Sequence, residues 1–67
     1  MISEFQEAWR KRKGRRLQEA RFASDLTTAE VAANIGVSPS TVENWEAGRS
    51  WPVSEAVYIA WQRAVGQ

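Results

Sequence analysis

The sequence lacks the two residue types that carry much of protein chemistry, since neither cysteine nor histidine occurs among its 67 residues. The absence of cysteine excludes a disulfide framework and a thiolate metal site. The absence of histidine removes the commonest general base and the commonest metal ligand. The sequence also shows no nucleophile–base pair and no glycine-rich phosphate loop. We therefore expect no enzyme activity, no metal, no cofactor and no small-molecule ligand.

Long apolar runs are missing too. No run approaches the ~20 residues of a membrane span, and the N-terminus lacks the apolar core of a signal peptide. We therefore expect a cytoplasmic protein with no membrane association. The length allows one domain at most, and a domain this small is marginally stable, so dimerisation would help it.

The basic residues are unevenly distributed along the chain. The net charge is only +1, yet six of the nine basic residues lie between Arg10 and Arg16. This asymmetry predicts a basic arm on a nearly neutral body. A solvated basic face that only aids solubility is the simpler alternative.

Apolar residues recur at three- and four-residue spacing, and no segment alternates as a strand would. We predict an all-α fold, a compact bundle of four to five short helices with an N-terminal helical or basic extension. Residues 1–13 would form that extension, as an amphipathic helix from about Ser3 to Lys13 that Gly14 interrupts. Residues 14–67 would form the main domain, whose first helix runs from Arg15 to Ser24 before Asp25, in left-handed conformation, ends it.

Three further helices have clear start signals. Each is preceded by an N-cap residue, namely Thr27, Ser38 or Ser54. Glu30 completes a capping box with Thr27, and Pro39 occupies the first position of the next helix. Glycines suited to left-handed helix ends follow at Gly36 and Gly48. The last helix is predicted over residues 54–65.

The segment from Thr28 to Ala47 has the properties of a helix-turn-helix. A small residue, Ala32, lies where two steeply crossing helices touch, and Gly36 provides a turn with positive φ. Five apolar residues would pack on the inner side: Val31, Ile35, Val37, Val42 and Trp45. A plain αα-hairpin is the alternative, but it would not require all these features together. The second helix keeps a free outer face, which is the shape that enters a major groove.

From Gly14 to about Val53 the chain resembles the helix-turn-helix family of lambdoid phage repressors and Cro (XRE-like proteins). The resemblance lies in GRRLQEARF and LTTAEVAANIGVSPSTVENWEAGRSWP. It implies a lambda-repressor-like DNA-binding domain that binds operator DNA as a dimer and usually represses transcription. It also implies a buried ion pair between Arg21 and Glu46, which agrees with the position of Arg21 on the inward face of its helix.

The resemblance also implies which residues contact bases. The matching positions are Pro39, Ser40 and Asn44, with Thr41 and Glu43 beside them. Asn44 is the best candidate because its amide can pair with adenine through two hydrogen bonds, while Glu43 can accept one from cytosine. Each of these residues can alternatively be an ordinary solvated side chain.

Phosphate contacts must come largely from outside the second helix of the motif, because that helix carries no lysine or arginine. Thr28, which replaces the glutamine usual in the family, can still donate to a phosphate from the start of its helix. The backbone after Thr27 and Ser38, together with Arg49, offers further donors. In the basic run, Arg12, Arg15 and Arg16 are the candidates.

Two aspects of the apolar surface have open interpretations. Trp51 can pack on the DNA backbone or cover the core. Ile59, with Ala56 and Ala60, is a plausible dimer contact on the last helix. The leading functional hypothesis is a phage or mobile-element repressor that binds an inverted repeat of double-stranded DNA as a homodimer. The alternative is an antitoxin-like module that uses the same fold to hold a protein partner.

Overall fold

Four helices make up the computed structural model, which describes residues 4–67 of the chain. They are α1 (Glu4–Ala23), α2 (Thr28–Ile35), α3 (Pro39–Glu46) and α4 (Glu55–Ala64). No strand occurs within residues 4–67, so the all-α prediction is confirmed. The predicted start of the first helix at Ser3 lies outside the described residues.

The predicted helix starts are confirmed by their capping hydrogen bonds. The Glu30 N–H donates to Thr27 Oγ1 over 3.1 Å, and the Thr27 N–H donates to the Glu30 carboxylate over 2.9 Å. Ser38 accepts from the N–H of Thr41, and Ser54 caps α4 in the same way. Gly36 takes a left-handed conformation with φ of 93°. These local bonds satisfy donors that a helix start leaves free, so α2, α3 and α4 begin where the sequence predicts.

The predicted break at Gly14 is wrong, because α1 runs without interruption from Glu4 to Ala23. Gly14 is buried against the end of α3. A Cβ atom at this position would lie 2.4 Å from the carbonyl oxygen of Trp45 and 2.7 Å from that of Glu46. The glycine therefore serves a close approach between two helices and does not end one. The end of α1 is as predicted, with Asp25 at a φ of 59°.

The core forms where α1 and α4 cover the inner sides of α2 and α3. Its buried apolar residues are Leu17, Val31, Ala32, Val42, Trp45, Trp61 and Val65. Ile35 and Val37 are partly buried against them. The predicted inner side of the motif is thus confirmed, and the other described residues leave the outer side of α3 uncovered.

The first half of α1 packs on the body through Trp9. Its ring centroid lies 5.2 Å from that of Trp51 and 6.5 Å from that of Tyr58. Trp51 also contacts Trp61, at 5.5 Å between centroids. Of the two interpretations of Trp51, the structure shows the one in which it covers the core. The segment that the sequence predicts as an extension therefore continues the bundle from Trp9 onward.

Candidate nucleic-acid interface

The two sides of α3 differ sharply in burial. Val42, Trp45 and Glu46 are buried on the inner side. The predicted base-contacting residues lie on the outer side, where Pro39, Ser40 and Glu43 are exposed and Thr41 and Asn44 are half-buried. The structure therefore brings all five onto one accessible surface, which we call the outer face of α3.

A buried ion pair fixes the end of α3 to α1. Arg21 Nε donates to Glu46 Oε2 over 2.7 Å, and Arg21 Nη2 donates to Oε1 over 3.1 Å. The two side chains are only 9% and 3% exposed. Arg21 Nη1 also donates to the carbonyl of Leu26, and Gln18 donates to Glu46. The hydrogen bond to Glu46 raises the pKa of Arg21 above its ordinary value, so the guanidinium stays charged at any working pH.

A second contact links the start of α2 to the middle of α3. Thr28 Oγ1 donates to Glu43 Oε2 over 3.2 Å. The threonine thus braces α3 at a position where the family resemblance implies a glutamine. The contact also holds the Glu43 carboxylate at the edge of the outer face.

The third contact joins Asn44 to the loop that follows α3. Arg49 Nε donates to Asn44 Oδ1 over 3.0 Å. The backbone N–H of Arg49 also donates to the Asn44 carbonyl, over 2.9 Å. Arg49 therefore orients the Asn44 amide. An oxygen that accepts one hydrogen bond retains a second lone pair, so Asn44 can still engage a base edge with both of its amide atoms.

Hydroxyl groups cluster where α3 begins. Ser38 Oγ lies 3.2 Å from Ser40 Oγ and 2.9 Å from Thr41 Oγ1. Hydroxyls of this kind can donate either to a phosphate or to a base. Together with the Thr27 hydroxyl at the start of α2, they offer uncharged donors near the starts of these two helices.

The basic run on α1 divides between two sides of the helix. Lys11 and Arg15 line an open cleft together with Thr27, Thr28 and Arg49. Arg16 lies near Tyr58 and Gln62 of α4. Arg12 lines a hollow on the outer surface of α1, which Arg15 and Arg16 also border. Of the three arginines that the sequence singles out, only Arg15 reaches the cleft beside α3.

Lys11 is not among the residues that the sequence singles out, although it lines the same cleft as Arg15. In a continuous helix the two residues are four apart and share one face. Sequence spacing contains this signal, but only once Gly14 is recognised as helical.

The predicted dimer residues lie on the outer side of α4. Ile59 is 38% exposed, Ala56 is exposed and Ala60 is half-buried. Nearby in the sequence, Val53 is 95% exposed. The other described residues leave these side chains accessible to a partner.

None of the described helices is long and apolar enough to cross a membrane. Within residues 4–67, no cluster of acidic side chains is suited to hold a metal ion. The family model described as "Helix-turn-helix domain" matches residues 14–66, which is most of the chain. No curated protein and no solved structure gave a significant match. With α2 and α3 in the expected arrangement, the chain belongs to the helix-turn-helix family of DNA-binding domains.

Proposed function

We propose that this protein is a sequence-specific transcription regulator that inserts α3 into the major groove of double-stranded DNA. The outer face of α3 carries the proposal. Its polar side chains are accessible, while the helix itself is fixed by Arg21 at its end and by Thr28 at its middle. A helix held rigidly with a free polar face can discriminate base edges at little cost in ordering.

Base recognition in this proposal centres on Asn44. Its amide, oriented by Arg49, would make two hydrogen bonds to an adenine. Glu43 would accept from the amino group of a cytosine, and Ser40 and Thr41 would donate to neighbouring bases or phosphates. Pro39 begins α3 and would contact a thymine methyl group.

In this proposal, phosphate contacts would lie near both ends of α3. Thr27, Thr28 and Ser38 lie at the starts of α2 and α3, where backbone N–H groups and hydroxyls favour an anion. Arg49 lies at the other end of α3 and supplies a full charge. Contacts of this kind set the position of the helix in the groove and do not specify sequence.

We further propose that the protein is a repressor or autoregulator from a phage or mobile element, which binds an inverted repeat as a homodimer. One short helix contacts few base pairs, so two copies on a two-fold site would multiply specificity. Ile59, Ala56 and Ala60 would form the dimer contact. The two half-sites would then lie about 34–36 Å apart, one helical turn.

Selection of bound sequences from random duplex DNA tests the proposal. We expect enrichment of a two-fold symmetric motif, and a complex of two chains per duplex by analytical ultracentrifugation. Enrichment of an asymmetric half-site would support DNA recognition but contradict the dimer. Failure to enrich any sequence would contradict the proposed function as a sequence-specific regulator.

A second candidate function is a protein-interaction module of the antitoxin type. The observation that favours it is the exposed apolar surface, with Phe22 at 61%, Val53 at 95% and Ile59 at 38%. Such patches mark protein contacts when they are contiguous. In this case the selection would enrich nothing, and Ile59→Ser would abolish partner binding while Asn44→Ala would not.

A further inference from the structure

We propose that Lys11 and Arg15, on one face of α1, bind the DNA backbone beside the groove that α3 enters. With Arg49 they would form a phosphate-binding edge, which we call the α1 edge. The proposal rests on DNA binding by α3 and specifies where most of the electrostatic affinity arises.

The need for such an edge follows from the charges of the motif. Between Thr27 and Ser54 the sequence contains one basic residue, Arg49. Glu30, Glu43 and Glu46 lie in the same stretch, and of these only Glu46 is neutralised by a buried cation, Arg21. Because neutralisation of phosphates supplies most non-specific affinity, a duplex on α3 requires further cations close by.

The position of α1 is fixed by two glycine contacts. At Gly14 the helix touches the backbone at the end of α3. At Gly48 an added Cβ would lie 2.7 Å from Lys11 Cγ and 3.0 Å from Lys11 Cα. The helix therefore lies directly on the end of α3 and on the loop that carries Arg49. This close packing places Lys11 at a defined distance from that loop, so its cation is not on a mobile arm.

Lys11, Arg15 and Arg49 line one open cleft together with the start of α2. Arg15 is within 3.9 Å of Glu19, but both side chains are strongly exposed, 79% and 68%, and an exposed pair of this kind is weak. Asp25 and Glu43 line the same cleft, and Glu7 and Arg10 lie with Lys11 and Arg49 further along α1. Within the cleft, Arg21 and Glu46 are paired with each other, so three cations face the carboxylates of Asp25 and Glu43. The cleft keeps a net positive charge, and we expect phosphate to bind at Lys11, Arg15 and Arg49.

The same helix offers a matched control. Arg12 and Arg16 are also four residues apart and carry the same total charge, but neither lines the cleft beside α3. They line a hollow on the outer surface of α1, which Arg15 also borders, and Arg16 lies toward α4. A general attraction between the basic run and DNA would treat the two pairs alike. Binding at the α1 edge would depend on Lys11 and Arg15 much more than on Arg12 and Arg16.

The test compares K11Q/R15Q with R12Q/R16Q in the full chain. Binding to a selected duplex and to a scrambled duplex is measured by fluorescence anisotropy over a range of salt concentrations. For K11Q/R15Q we expect the slope of log K against log salt to fall by about two, on both duplexes. Between roughly 50 and 200 mM salt, the unaltered protein should lose about tenfold more affinity than this variant. R12Q/R16Q should keep a slope close to that of the unaltered protein.

Equal slopes for the two variants, or no change in K11Q/R15Q, would overturn the α1 edge while leaving recognition by α3 intact. If the unaltered protein selects no sequence and binds no duplex, the proposed function fails and the edge fails with it.

A second measurement does not depend on weakened binding. Because the chain has no cysteine, K11C and R12C can each carry a single tethered iron chelate that cleaves nearby DNA. Cleavage of the backbone flanking the half-site is expected from K11C and should be much weaker from R12C. The reverse pattern, or equal cleavage from both, would contradict the proposal even if the glutamine variants proved unstable.

Discussion

At the scale of single residues, Gly14 has a role that is set by tertiary packing and not by local helix propensity. The sequence indicates a glycine among basic residues, which is typical of a helix end. In the structure the residue is helical, and its missing side chain makes room for the carbonyl groups of Trp45 and Glu46. Local propensity could not reveal this role, because the atoms that require it are some thirty residues away.

Replacement of Gly14 by alanine should destabilise the protein. Helix propensity alone would favour alanine by about 1 kcal/mol. The added Cβ would meet two backbone carbonyl groups that cannot rotate away, and overpacking of this kind costs about 1–3 kcal/mol. Urea unfolding followed by tryptophan fluorescence would measure the net loss. Ala8→Gly, at an exposed site of the same helix, reports the propensity alone, and a G14A protein more stable than the unaltered chain would contradict the close contact.

The Arg21–Glu46 pair also acts at the residue scale. Arg21→Met would leave a buried carboxylate without its cation, at a cost of about 3–5 kcal/mol. A domain of this size rarely has more than about 3–5 kcal/mol in total, so the variant should be largely unfolded at room temperature. The double variant R21M/E46L removes both charges and should regain most of the stability. A double variant that is no more stable than the single one would contradict this account.

At the scale of elements, α3 is held by three side-chain contacts and keeps its outer face accessible. Arg21 fixes its end, Thr28 contacts Glu43 and Arg49 contacts Asn44. The last two contacts involve side chains of the outer face. The free protein therefore presents these residues already ordered, which limits the entropy lost when they meet a base.

Replacement of Asn44 by alanine should weaken binding to the selected duplex and relax the preference at one base pair. Loss of a two-bond contact to a base is worth about 1–3 kcal/mol, or roughly 5- to 150-fold in affinity. Binding to a scrambled duplex should change little. Asn34→Ala is the control, because Asn34 is an exposed asparagine on α2. Equal effects of the two variants, or an equal loss of affinity for both duplexes, would show that Asn44 does not recognise a base.

At the scale of the whole molecule, aromatic residues join segments that are distant in the sequence. Trp9 from α1, Trp51 from the loop and Tyr58 from α4 pack on one another, and Trp61 extends the group to Trp45 in the core. A small domain gains much of its stability from such large side chains. This group also holds the first half of α1 against the body and so supports the α1 edge.

Trp9→Ala should therefore reduce the stability of the whole domain. The side chain makes two aromatic contacts, each worth about 0.5–1.5 kcal/mol, so we expect a loss of about 1–3 kcal/mol. Phe22→Ala is a suitable control, since Phe22 is an aromatic residue of the same helix that is 61% exposed. Its loss should be smaller, because among the described side chains its ring contacts the Arg21 guanidinium, an interaction worth about 0.5–1 kcal/mol at an exposed site. If W9A unfolds at the same urea concentration as the unaltered chain, the first half of α1 is not part of the cooperative unit.

The sequence by itself determined the features that depend on near neighbours along the chain. The N-caps Thr27, Ser38 and Ser54, the turn at Gly36 and the apolar inner side of the motif follow from bonds and spacings within a few residues. The helix-turn-helix was predictable for that reason.

Tertiary structure alone decided the features that depend on distant atoms. Three such features are the continuity of α1 through Gly14, the packing of Trp51 over the core, and the presence of Lys11 and Arg15, but not of Arg12 or Arg16, in the cleft beside α3. Helical spacing could group these basic residues in pairs, but it could not say which pair faces the cleft beside α3. The contact between α1 and the end of α3 determines which pair faces the cleft, because Gly14 lets the two helix backbones approach closely.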